Sequence, residues 1–218
     1  MKLKLLHYFF IVIYFISCSI FAQDISLYKT FSGKCDFIFI GNTLNLVENN
    51  NVEGMPEPAC KILKSSKATL NLDAENIVEN AYLYWAGSGT GDFNVKLNDT
   101  KITATRTFTI ENSAGDPFFS AFADVTSLIK TTGNGDYIFS DLDLTAVIKD
   151  YCSFGGNFGG WAIVIVYKNE NAPVNLLNIY DGMQGIPNYL NIKLNNLFVI
   201  DNVGAKIGFI AWEGDKNI

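Results

Sequence analysis

Histidine is almost absent from the 218-residue sequence: the single one, His7, lies in an N-terminal apolar run. Serine–histidine–aspartate and cysteine–histidine catalysis, histidine-ligated zinc and the usual near-neutral general base all need an imidazole. No other side chain with an ordinary pKa titrates near neutrality. The sequence therefore excludes most hydrolase and metalloenzyme designs, and we expect no catalytic residues and no enzymatic activity.

Basic clusters are also lacking. Lysine and arginine total 16 against 22 acidic residues, which gives a formal net charge of −6 and a pI of about 4.7. Phosphate binding needs concentrated basic side chains, so nucleic acid is not an expected partner. A hydrophobic content of 49% with 17% charged residues indicates a globular core.

The N-terminus has the pattern of a secretory signal peptide. Lys2 and Lys4 precede an apolar run over residues 5–20, and small residues lead up to Ala22. We therefore expect residues 1–22 to be removed, leaving Gln23 at the N-terminus. The remaining chain of about 196 residues has a net charge of −8 and no stable membrane span. Without a linker or repeat, residues 23–218 are predicted to form one domain.

Two other interpretations of this N-terminus stay open. The apolar run is long for a signal peptide, which would suit a retained signal anchor. Cys18 could instead head a lipoprotein, although the residues that follow it stay apolar through Phe21 instead of turning polar.

Three cysteines remain after cleavage: Cys35, Cys60 and Cys152. None belongs to a C-x-x-C pair, so a thiolate zinc site has no support. In an oxidising compartment we expect one disulfide and one odd thiol, and three pairings are open.

Short segments rich in β-branched and aromatic residues dominate the chain, separated by Gly, Asn, Asp and Pro. This pattern predicts an all-β fold, a jelly-roll-like β-sandwich with one short helix. The predicted strands are residues 37–40, 68–72, 81–85, 94–97, 102–110, 137–140, 161–167, 176–180, 189–194 and 206–212.

Local signals refine this prediction. Residues 161–167 are apolar on both faces, as in a strand buried between two layers. Residues 124–130 predict the helix, with Asp124 as its cap and Val125, Leu128 and Ile129 pointing inward. Asn98-Asp99 and residues 133–136 are predicted to be hairpin turns.

Five motifs carry a resemblance to a known group of proteins. In chain order they are AYLYWAGSG (81–89), FFSAFADVT (118–126), GWAIVIVY (160–167), NIYDG (178–182) and AWEGD (211–215). Together they resemble the N-terminal β-sandwich region of gliding-motility-associated surface proteins, which end in a sorting domain for type IX secretion. The resemblance runs from about Leu27 to the last residue.

The resemblance implies a location and a role. It places the chain outside the outer membrane, as a secreted or cell-surface module for adhesion, gliding or structure, with surface glycans or other cell-surface proteins as partners. Its cysteine pattern matches Cys60 and Cys152, which implies that these two form the disulfide. No sorting domain follows residue 212, so we expect the chain to be the N-terminal fragment of a longer protein.

Carboxylates suggest one candidate cofactor. Asp141 and Asp143 alternate along one strand face, with Asp136 nearby, and calcium prefers such oxygen ligands. The alternative is an ordinary solvated strand face, since EF-hand spacing is missing.

Aromatic residues suggest an alternative function. Tyr82, Tyr84, Trp85 and Trp212 could form a stacking platform for sugars, as in a carbohydrate-binding domain. Asp181, Glu213 and Asp215 could add acidic groups for carbohydrate processing. The competing interpretation is that the aromatics pack in a core and that these carboxylates lie in solvated turns.

Overall fold

The computed structural model describes residues 25–46, 60–186, 191–195, 197 and 204–213. Within them the chain forms eleven strands and two short helices. The strands are β1 (Ser26–Gly33), β2 (Cys35–Thr43), β3 (Ser65–Leu70), β4 (Ile77–Ser88), β5 (Asn94–Leu97), β6 (Thr100–Thr103), β7 (Arg106–Glu111), β8 (Pro117–Asp124), β9 (Gly135–Ser140), β10 (Gly159–Lys168) and β11 (Asn175–Asp181). The helices are α1 (Thr126–Thr132) and α2 (Ile148–Tyr151), and a 3-10 turn, Cys152–Phe154, follows α2.

The strands form three antiparallel sheets. A five-stranded sheet in the order β2-β10-β4-β8-β7 lies in the middle. A four-stranded sheet, β3-β9-β5-β6, covers one face, and a two-stranded ribbon, β1-β11, covers the other. The predicted all-β sandwich with little helix is confirmed.

Two hydrophobic clusters separate these layers. Alternate side chains of a strand point to opposite faces, so each central strand contributes to both clusters. Trp85 on β4 and Trp161 on β10 lie in the first cluster, between the large sheets. Tyr82 and Val164 lie in the second cluster, under the ribbon. Residues 161–167 are thus buried between two layers, as predicted.

The predicted strand over residues 102–110 is two strands. The break falls at Ala104 and Thr105, whose amides donate to Phe93 O and Phe122 O respectively. Here the chain leaves the four-stranded sheet at β6 and enters the five-stranded sheet at β7. A continuous β-type pattern cannot reveal this change of sheet, because both strands have the same period of two.

The first helix has the predicted inward face, with Val125 and Ile129 buried and Leu128 half-buried against the core. The N-cap position is Val125, which makes no side-chain capping bond, so the prediction of Asp124 as the cap is wrong by one residue. The Asp124 carboxylate, one residue earlier, accepts a 2.9 Å hydrogen bond from the amide of Thr126. A second helix, α2, adds to the single one predicted.

One predicted hairpin turn is present and the other is not. Asn98 and Asp99, with φ of 47° and 61°, join the paired strands β5 and β6. Of residues 133–136, Gly133 and Asn134 connect α1 to β9, and Gly135 and Asp136 begin β9, which pairs with the distant β3. The second hairpin prediction is wrong because the element before the turn is helical.

The predicted strands near the C-terminus are absent from the described residues. Residues 206–212 and 191–194 form no strand, and residues 189–190 lie outside the described ranges. The expected signal peptide, residues 1–22, also lies outside them. Within the described ranges, no helix is long and apolar enough to cross a membrane.

Candidate functional site

The four candidate platform residues do not form an exposed surface. Tyr82 and Trp85 are fully buried, and Tyr84 is 8% exposed. Tyr82 and Tyr84 point into the second cluster, whereas Trp85 points into the first, where its Nε1 donates to Asp92 O at 2.8 Å. The stacking platform is therefore wrong for these three residues, because β4 is covered on both faces.

Trp212 is half-buried on the same side as the two tyrosines, packed against the second cluster. Its segment is held to β2 by Lys206, whose Nζ donates to Asp36 Oδ1 at 2.8 Å and to Phe37 O at 2.7 Å. The same Nζ lies 4.4 Å from the centre of the Phe37 ring. Trp212 thus belongs to a segment that covers the second cluster. The other three platform residues are buried, so Trp212 does not form an exposed platform with them.

An aromatic group fills the space between the ribbon and the five-stranded sheet. Tyr28 of β1 contacts Tyr82 and Phe122 edge-on, with ring centres 5.5 and 5.1 Å apart. Tyr84 contacts Phe122 in the same way at 5.1 Å. Such edge-to-face contacts are favourable beyond the area that they bury. We call the rings that the five-stranded sheet contributes, Tyr82, Tyr84, Phe108 and Phe122, the covered aromatic face.

Arg106 of β7 places a cation beside this face. Its guanidinium carbon lies 4.8 Å from the ring centre of Tyr28, 5.4 Å from that of Phe108 and 5.7 Å from that of Phe122. Its Nη1 donates to Asp181 Oδ2 at 2.5 Å. The side chain of Asp181 is 3% exposed and that of Arg106 is 29% exposed, so the pair is largely removed from water.

Asp181 does not behave as a residue of a solvated turn, which corrects the expectation for Asp181-Gly182. Burial raises its pKa, although the Arg106 guanidinium acts to lower it. Desolvation therefore outweighs the ion pair. Its Oδ1 and the Tyr84 hydroxyl are both buried without a hydrogen-bond partner among the described residues. Asp215 lies outside the described ranges, and Glu213 is an exposed residue.

The candidate calcium residues each face a lysine. Asp136 pairs with Lys67 at 2.7 Å, Asp141 with Lys96 at 2.7 Å and Asp143 with Lys64 at 2.6 Å. All three carboxylates lie on the exposed side of the four-stranded sheet or just past β9. No group of three or more His, Cys, Asp or Glu side chains among the described residues is placed to hold a metal ion. The described contacts therefore lend no support to calcium at Asp136, Asp141 and Asp143, where the site stays a prediction.

The same contacts explain the titration of two of these carboxylates. Hydrogen bonds from Lys64 and Thr145 lower the pKa of Asp143 to about 2. Hydrogen bonds from Lys67 and Thr69 lower the pKa of Asp136. A carboxylate held ionised in this way is a poor general acid at neutral pH.

One surface depression has a volume of about 280 Å³ and is lined by loop residues near the start of β4 and the end of β10: Glu75, Ile77, Lys168, Asn169, Glu170 and Asn171. It contains no tryptophan or tyrosine. A glycosidase needs two carboxyl groups about 5–9 Å apart in an aromatic-walled cleft, and this depression has no such wall.

The cysteines are arranged as the resemblance implied. Cys60 and Cys152 form a disulfide with Cα atoms 5.5 Å apart, and Cys35 is free and buried. The bridge joins the segment before β3 to the 3-10 turn before β10. This pairing is the predicted site feature that the structure confirms.

Comparison of the chain with protein families, with curated proteins and with solved structures found no match.

Sequence analysis missed the most unusual charged group of the structure. Arg106 occupies an ordinary position in an alternating β segment, and its partner Asp181 lies 75 residues away. The only local signal is that Arg106 is the first residue after the change of sheet at Ala104 and Thr105. Nothing in the sequence indicates that β11 crosses the face from which Arg106 projects.

Proposed function

We propose that this chain is an exported, non-catalytic module of the bacterial cell surface that contributes to attachment or gliding. The observation that carries the proposal is the Cys60–Cys152 disulfide, which spans 92 residues of an all-β sandwich. Structural disulfides persist in oxidising compartments and are rare in the bacterial cytoplasm. The disulfide therefore supports export from the cytoplasm, and export is consistent with a role outside the cell.

The fold supports a mechanical role. Central strands β4 and β10 are buried on both faces and pair over most of their lengths. The disulfide prevents the segment before β3 from separating from the turn before β10. A sandwich with long paired central strands and a disulfide across it should resist unfolding under force. This resistance suits a module that holds a surface partner.

The distribution of charge supports a binding role over a catalytic one. The three carboxylates of the β9 region are neutralised singly by lysines, and Asp181 is neutralised by Arg106. Catalytic acid–base pairs require ionisable groups that share one cleft. We expect the partners to be surface glycans or other cell-surface proteins, with no catalysis by the module.

The experiment compares cells that carry or lack the chain. A deletion strain should attach to glass and glide less than its parent, and the wild-type gene should restore both properties. A gene encoding Cys60→Ser and Cys152→Ser should restore them only in part. Mass spectrometry of the exported protein should give Gln23 as its first residue, and protease added to intact cells should remove it.

Normal attachment and gliding of the deletion strain would contradict the proposal, as would a protein that stays in the cytoplasm. Purified protein should bind no glycan through Tyr82, Tyr84 or Trp85. If Trp212→Ala abolishes binding to an array of glycans, the carbohydrate-binding alternative replaces the adhesive role.

A further inference from the structure

We propose that the ribbon β1-β11 is a hinged cover that opens as a unit, separately from the two large sheets, and uncovers the aromatic face beneath it. The ribbon is a sheet of its own: β1 pairs with β11 from Ser26↔Asp181 to Gly33↔Asn175, and neither strand shares a ladder with the five-stranded sheet. Its attachment therefore depends on side chains and on its connections.

Two of the ribbon's covalent connections, Lys34 after β1 and residues 169–174 before β11, lie together at one end. At the other end the chain continues from Asp181, and Met183 is buried in the second cluster. Gly33 has a φ of 121°, which glycine adopts without strain, and only Lys34 separates it from β2. Residues 169–174 connect β10 to β11 beside it, where the Asn169 amide donates to Lys34 O at 3.0 Å. This end is the hinge, because it stays joined to the large sheet when the rest of the ribbon moves.

The opposite end is fastened by a few groups. Asp181, the last residue of β11, is bound by Arg106, and Met183 is buried two residues later. Phe31 and Ile179 are the buried apolar side chains within the ribbon, and Tyr28 and Leu177 pack half-buried against the same cluster. By contrast, the first cluster is built from side chains of both large sheets. A unit with few buried contacts opens at a lower free energy than the whole domain.

Opening would expose a face with a defined chemical character. It consists of Tyr82, Tyr84, Phe108 and Phe122, with the Arg106 guanidinium at its side. Two of these residues, Tyr82 and Tyr84, are the ones that the sequence suggested as a stacking platform. The inference does not rest on the proposed function, since it concerns the motion of the ribbon alone.

Cys35 provides a natural reporter of this motion. It begins β2 next to the hinge, is fully buried in the second cluster and is a free thiol. Burial raises the pKa of its thiol, so the closed protein should react slowly with a disulfide reagent. Because Cys35 lies at the hinge end, labelling measures the fraction of molecules in which the whole ribbon, including Phe31 near the hinge, has left the second cluster.

The experiment uses the exported chain, residues 23–218, with its disulfide intact. The rate of Cys35 labelling by dithionitrobenzoate is measured at increasing low concentrations of urea. A local opening should give a rate with little dependence on urea, whereas opening by global unfolding should show the full denaturant dependence of the domain. In parallel, hydrogen exchange should be faster for peptides from Ser26–Gly33 and Asn175–Asp181 than for peptides from β4 and β10.

Variants test the fastening. Arg106→Met leaves the buried Asp181 carboxylate without its cation and should speed labelling tenfold or more. Adding Asp181→Asn should return the rate close to that of the wild type, since the neutral amide needs no cation. Lys67→Met, which breaks an exposed pair on the opposite sheet, is the matched control and should leave the rate unchanged.

Two results would overturn the proposal. One is a labelling rate with the urea dependence of global unfolding in the wild-type protein. The other is hydrogen exchange of β1 and β11 that is as slow as that of β4 and β10. Both measurements need only the wild-type chain, so the proposal stays testable if Arg106→Met does not fold.

Discussion

Arg106 and Asp181 form an ion pair that joins an edge strand of the central sheet to the ribbon above it, with 2.5 Å between Nη1 and Oδ2. The carboxylate is buried and the guanidinium keeps part of its contact with water. Because burial raises the pKa of Asp181 despite this cation, the ionised pair costs free energy relative to a neutral residue at position 181. The two residues are therefore not equivalent targets for substitution.

Replacing Asp181 and replacing Arg106 should change the free energy of unfolding by different amounts. Asp181→Asn keeps the shape and removes the charge that burial disfavours, so the free energy of unfolding at pH 7 should rise slightly. Arg106→Met leaves a buried carboxylate uncompensated and should lower that free energy by about 3 kcal/mol. Urea unfolding followed by tryptophan fluorescence measures both values. The double variant Arg106→Met, Asp181→Asn should be more stable than Arg106→Met alone. The account would be contradicted if Arg106→Met were the more stable of these two variants.

The raised pKa of Asp181 also predicts a pH dependence. Between its ordinary value of 3.8 and its raised value, the folded protein binds more protons than the unfolded chain. The contribution of Asp181 to stability is therefore fully present below the ordinary pKa and decreases as pH rises to the raised one. We expect the wild-type free energy of unfolding, minus that of Asp181→Asn, to fall with rising pH and then level off. Asp136 and Asp143 titrate in both proteins, so their effects cancel. A difference that grows with pH would refute the prediction.

The disulfide should supply a large share of the stability. Closing a loop of 92 residues limits the unfolded chain and contributes about 4–5 kcal/mol in the chain-entropy treatment. The double variant Cys60→Ser, Cys152→Ser should unfold at a correspondingly lower urea concentration. Reductant should destabilise the wild-type protein and leave the double variant unchanged. Equal stability of the oxidised and reduced wild-type proteins would show that the bridge contributes little.

Gly41 should tolerate no side chain. A Cβ at this position of β2 would overlap Trp161 O and lie 2.8 Å from Ala162 Cα, both backbone atoms of β10 that cannot move without disturbing the ladder. Gly41→Ala should lower the free energy of unfolding by about 2–3 kcal/mol. The matched control is Gly185→Ala, whose Cβ would meet Ile110 Cδ1 at an ordinary 3.4 Å. Thermal unfolding of both variants gives the comparison, and similar melting temperatures would contradict it.

The sequence by itself determined the local features of this protein. Period-two apolarity identified most strands, including the fully buried segment within β10, because a strand covered on both faces must be apolar on both. The first helix and the Asn98-Asp99 turn were readable, because short helices and left-handed turns depend on residues adjacent in the chain. The Cys60–Cys152 pairing came from the resemblance, since the residues alone left three pairings open.

The tertiary structure alone decided which surfaces are covered. Sequence periodicity placed Tyr82 and Tyr84 on one face of β4 and Trp85 on the other, but a third layer buries the tyrosine face as well. That layer pairs β1 with β11, which are nearly 150 residues apart in the chain, and the same pairing brings Asp181 to Arg106. Contacts over such separations depend on how sheets stack, and stacking leaves no mark in the local pattern of residues. For this reason the candidate carboxylates and aromatics could be named from sequence, while their burial and partners could not.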